Sequence, residues 1–111
     1  MPTEPERRKL QTYLSQPLAE LESELELYAP ASRGPAETWQ KIAVPLRQRL
    51  CVEWDYCALR QDSRWDDDLS LALAVLAALS ERALNLPFPA DLALVTSILV
   101  KRGLDVFCEC K

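Results

Sequence analysis

Cys51, Cys57, Cys108 and Cys110 are the residues of this chain with the widest chemical reach. Four thiolates could close a tetrahedral zinc site if the C-terminal segment docked back on the stretch carrying Cys51 and Cys57. The spacings are poor for it. Structural zinc sites use two knuckles of the C-x2–4-C kind, whereas this chain offers one C-x-C and one C-x5-C. On an uninterrupted α-helix a C-x5-C step turns its two side chains about 240° apart. A redox role for Cys108 and Cys110, as a pair or as a thiol attacked by oxidants, is the second chemistry available. The plainer reading makes Cys51 and Cys57 small core residues and the C-terminal pair one face of an extended segment.

The chain has no histidine. Ser-His and Cys-His pairs, a histidine general base and histidine metal sites are therefore excluded. Its two glycines, Gly34 and Gly103, are too few and too far apart for a phosphate cradle or a dinucleotide fingerprint. Carboxylate, lysine, tyrosine and cysteine chemistry survives. Asp62, Asp66, Asp67 and Asp68, with Glu53 and Asp55 upstream, would be the ligands of Mg²⁺ or Ca²⁺ in a carboxylate enzyme. No EF-hand spacing is present, and capping of the following helix accounts for Asp66–Asp68 without a metal. Neither a catalytic residue nor a cofactor or metal is expected.

Recognition has better candidates. Trp65 stands between Arg64 and Asp66 in a polar stretch, where it reads either as a binding anchor or as a hydrophobic staple on Leu69. Leu104 to Cys110 alternates apolar and polar residues, which predicts one short β-strand or an extended tail. A lone strand must find a partner for its backbone. That partner would be a hidden strand near Cys51–Cys57, the same strand of a second copy in a homodimer, or another protein. The candidate binding surface is Arg64, Trp65, Phe107, Cys108 and Cys110.

The elements that must position these residues read as helices. Leu10, Tyr13 and Leu14 predict a helix over 4–15, interrupted by Pro17. Leu18, Leu21, Leu25 and Tyr28 form the stripe of a second helix, and residues 29–35 form a Pro- and Gly-bearing loop. Trp39, Ile42, Leu46, Leu50, Trp54 and Cys57 recur at steps of three and four, with Pro45 expected to bend or split the helix. The stretch 66–85 is apolar on nearly every face from Leu69 to Leu79, which marks it as the centre of the fold. Leu86-Pro87-Phe88-Pro89 connects it to a last helix over 89–102, stopped by Gly103 with Leu104 folded back on Leu99.

The expected fold is mostly α, a compact array of four to five helices with a short C-terminal β-strand or extended tail, in a single domain over 1–111. A net charge of −4 argues against nucleic acid, which requires a basic field. Basic residues at Arg7-Arg8-Lys9, Arg47 and Arg49 are matched by nearby acids and read as solvated faces. The polar opening stretch predicts no signal peptide, and the apolar run is too short to cross a bilayer. A cytoplasmic location with reduced thiols follows. The leading function is a non-enzymatic protein–protein interaction or regulatory module that self-associates through 104–110. The alternative is a small thiol-based zinc-binding or redox protein using all four cysteines.

Overall fold

Leu10 is fully buried and anchors an otherwise polar first helix, α1 (Glu4–Leu14). The computed structural model describes residues 4–28, 35–62, 67–81 and 91–110, together with Trp65, Leu84 and Leu86. Pro17 ends α1 and opens α2 (Leu18–Glu26), where its missing amide proton leaves no bond unmade. Leu21 and Leu25, one turn apart on α2, both reach the core.

The third helix, α3 (Pro35–Arg47), runs through Pro45 without splitting. Pro45 has no amide to donate to the carbonyl four residues back. Three residues later the ladder widens into a π-helical turn over Gln48–Glu53. Asp55 then takes a left-handed conformation (φ 57°, ψ 55°), and a short α4 (Tyr56–Leu59) leads into a 3-10 turn at Arg60–Asp62. The helical stretch expected from Trp39 to Cys57, with its bend or split at Pro45, is instead broken at Asp55, a local event that a pattern of threes and fours does not encode.

Asp67 caps α5 (Asp68–Ser80), its carboxylate accepting from the Ser70 amide at 2.7 Å. Asp91 caps α6 (Leu92–Arg102) in the same way, through the Ala93 amide at 2.9 Å. The centre of the fold is α6, and the expectation that 66–85 is central is corrected. Every residue from Ala93 to Val100 is buried, and α6 packs against α1, α2, α5 and α7. By contrast α5 leaves Leu69, Leu71 and Leu73 partly exposed. Thr96 and Ser97 ride inside α6, where the Ser97 hydroxyl donates to the Ala93 carbonyl at 2.9 Å. Arg49 is buried as well, and its guanidinium donates to the Ala78 and Leu79 carbonyls at the end of α5. It is a helix-end cap, not part of a solvated face.

The C-terminal strand is the second correction. Gly103, at φ 97°, turns the chain out of α6, and Leu104–Phe107 forms a four-residue helix, α7. Among the described residues there is no β-strand. The amides of Phe107 and Cys108 donate to Gly103 and Leu104, so the alternation of 104–110 sits on a helical turn. Leu104 and Phe107, three apart, face the core while Val106 faces outward. A short amphipathic turn and a short strand give the same pattern over so few residues.

Candidate functional site

The π-helical turn and the left-handed Asp55 together decide the fate of the cysteines. By redirecting the chain between Cys51 and Cys57, they bring both to the side on which the C-terminal segment lies. Cys51 pairs with Cys108 and Cys57 with Cys110, each with a Cα separation of 5.4 Å. No free cysteine remains. The expectation of reduced thiols is therefore corrected. Its weak point was the helical geometry, because 240° of separation applies only to a helix that continues. An even cysteine count was the signal available for pairing.

Both bridges fasten the same two segments, so residues 104–110 form a hook clasped onto 51–57. Phe107 is buried in this clasp. Its ring meets Trp39 edge-on at 5.9 Å, and the Arg47 guanidinium lies over its other face at 4.9 Å. It belongs to the core and is not presented to a partner. Arg64 and Asp66 lie outside the described residues, as do the loop at 29–34 and Phe88.

Beside the hook is an open cleft of about 420 Å³ lined by Tyr56, Arg60, Gln61, Trp65, Leu71 and Asp105. Trp65 forms its wall. The indole stacks on the Tyr56 ring at 6.0 Å with an interplanar angle of 10°, and meets Trp54 at 5.6 Å. Trp54 and Tyr56 are 6.1 Å apart, so the three rings form a triangle with no member displaced to the end of a row. Trp65 is half-buried, held by its aromatic neighbours. Neither the staple nor the anchor reading anticipated the Trp54–Tyr56 platform.

Asp105 of the hook also lines the cleft. The Tyr56 hydroxyl donates to one carboxylate oxygen at 2.8 Å, and Arg60 pairs with the other at 3.0 Å. Burial, then the hydrogen bond to Asp105, pushes the Tyr56 hydroxyl up to about 12. No known protein-family model, curated sequence or solved structure matches this chain. The site is therefore judged on its own geometry.

That geometry offers a stacking surface, an exposed amide at Gln61, and a carboxylate already engaged on both oxygens. Among the described residues no group of three or more carboxylates or cysteines is arranged to hold a metal ion. Asp67, the member of the acidic cluster that caps α5, has its carboxyl held low chiefly by the hydrogen bond from the Ser70 amide. No helix among the described residues is long and apolar enough to cross a membrane. Sequence reasoning singled out Trp65, Cys108 and Cys110: Trp65 lines the cleft, and the two cysteines close the bridges that hold the segment carrying Asp105. It missed Tyr56, Arg60, Gln61 and Asp105, whose proximity depends on the turn at Asp55 and on the helical form of 104–107.

Proposed function

We propose that the chain is a non-enzymatic protein–protein interaction or regulatory module that binds through the cleft beside Trp65. The carrying observation is the half-exposed indole on an aromatic platform, in an open cleft that also holds the Asp105–Arg60 pair. Half-buried tryptophans bordered by arginine are frequent energetic centres of interfaces. Their large contact area is paid for with little conformational entropy. Self-association through 104–110 belongs to the same proposal in altered form. With no strand to pair, the available surface there is Val106, which is 77 % exposed. A cytoplasmic location is also part of the proposal, and the paired cysteines weigh against it.

A photo-crosslinking residue at Gln61, compared with one at Glu20 on α2, tests the cleft reading in cells. A discrete protein adduct from position 61 and none from position 20 is the expected result. No position-specific adduct would remove the reading. The thiol-based alternative draws support from the convergence of all four cysteines on one patch. Elemental analysis with a free-thiol count separates the two, since one zinc per chain would favour the alternative.

A further inference from the structure

The hook is held to the body of the protein in an unusual way. Its backbone hydrogen bonds at 107–110 run to Gly103, Leu104, Val106 and Asp105, inside the hook or at the residue that opens it. Two of its side chains, Leu104 and Phe107, are buried, and Asp105 is gripped by Tyr56 and Arg60. Arg47 adds one long bond, from its Nε to the Phe107 carbonyl at 3.4 Å. Burying two side chains does not offset the entropy of ordering seven residues by a wide margin. The bridges tip that balance. All four cysteines are only half-buried, within reach of a small thiol.

We propose that the two disulfides act as a redox latch on the cleft: while either is intact the hook stays docked, and only when both are reduced does it leave. This rests on the cleft reading, because Asp105 lines the cleft and departs with the hook. The latch logic comes from connectivity. The bridges span 57 and 53 residues, but they share their two end segments. The first to form closes a loop of more than fifty residues. The second closes only the short ring between the two bridges and adds little entropy. Opening one bridge leaves the other holding both ends together at high effective concentration. Each opening consumes two thiols of a reductant such as a dithiol. The S–S bond breaks, each sulfur takes a proton, and the reductant leaves as its own disulfide.

Amide hydrogen exchange at Phe107 and Cys108 reads the latch in the intact chain with no partner present. Four forms are compared: oxidised protein, fully reduced protein, the Cys51→Ser/Cys108→Ser variant and the Cys57→Ser/Cys110→Ser variant. Either one-bridge variant is expected to exchange within about tenfold of the oxidised protein. Full reduction is expected to accelerate exchange well beyond tenfold, because with α6 still folded only the short tether from Gly103 then restrains the hook. The amides of Val95 to Leu99 on α6, which open only with the whole fold, should stay far more protected than the hook in the reduced protein. A reduced protein whose hook stays protected overturns the latch. So does a one-bridge variant with the full effect, or a reduced protein in which α6 exchanges as fast as the hook, which would make the bridges staples of the whole fold. Because no partner enters this measurement, a failed crosslink at Gln61 leaves its outcome untouched.

Discussion

The two ends of α6 are fastened by different chemistry. At its N-terminus Asp91 caps the helix through the Ala93 amide and also accepts from the Lys9 ammonium at 2.8 Å and the Tyr13 hydroxyl at 3.1 Å. One carboxylate thereby ties α1 to α6. At its C-terminus α6 passes through Gly103 into the hook, which two disulfides tie to residues 51–57. The first clasp responds to protons and the second to electrons. The buried run from Ala93 to Val100 lies between them and needs neither for its own helical bonds. Each end of the molecule can therefore loosen separately.

Removing the sulfur clasp is the largest perturbation. Replacing Cys108 and Cys110 together by serine should cost about 4 kcal/mol of global stability in chemical denaturation, nearly all of it from losing the long loop closure. Replacing one pair should cost less than half as much. Equal costs for the two steps would show that the bridges act independently and that their shared end segments are irrelevant.

The carboxylate clasp comes next. Asp91→Ala removes a helix cap and leaves the part-buried Tyr13 hydroxyl without its acceptor, which together should cost about 2 kcal/mol. Asp91→Asn keeps an amide oxygen suited to capping and should recover more than half of that loss. An Asn variant as unstable as the Ala variant would mean that the ion pair with Lys9, whose side chain is 54 % exposed, carries the clasp after all.

How much of this was legible varies along the chain, for physical reasons. The helices were readable because Leu10, Leu21, Leu25 and the stripe from Trp39 to Leu50 obey the helical period and do face the core. The identity of the central helix was not. The apolar residues of α5 suggest full burial, yet α6 is the helix enclosed on all sides, with Thr96 and Ser97 within it. Composition reports what a helix tolerates, and neighbours decide what it receives. The cleft was legible only at Trp65. Its other residues depend on Asp55, an ordinary residue in a left-handed conformation, and nothing in its local sequence demands that turn. The hook was misread for a related reason, since four residues are too few to separate a period of 2 from one of 3.6.

Of the two clasps, acid should act on the N-terminal one. Burial pushes the Asp91 carboxyl upward, but hydrogen bonds from Lys9, Ala93 and Tyr13 outweigh it and hold it below its ordinary 3.8. A carboxyl lowered by folding stabilises the fold above its ordinary value, and that contribution disappears as pH falls through the lowered one. Between neutrality and pH 4 the melting temperature of the wild type should therefore change little on this account, then fall more steeply than that of Asp91→Ala. Parallel acid limbs for the two proteins would show that other carboxylates govern the transition.

The smallest effect is expected at the opposite end and at the opposite extreme of pH. Tyr56 holds the hook through Asp105, and its hydroxyl is raised by folding from 10.0 to about 12. A group raised by folding contributes fully below its unfolded value and loses that contribution as pH rises through the folded one. Tyr56→Phe should cost about 1 kcal/mol at neutral pH and should flatten the stability loss of the wild type between pH 10 and 12. With both bridges intact, hook exchange in this variant should rise only slightly, since sulfur still sets its position. With both reduced, the same substitution should open the hook further, because the Tyr56 hydroxyl is then one of its few remaining ties. A Tyr56→Phe effect of equal size in the oxidised and reduced proteins would show that the hydrogen bond and the bridges do not hold the same segment.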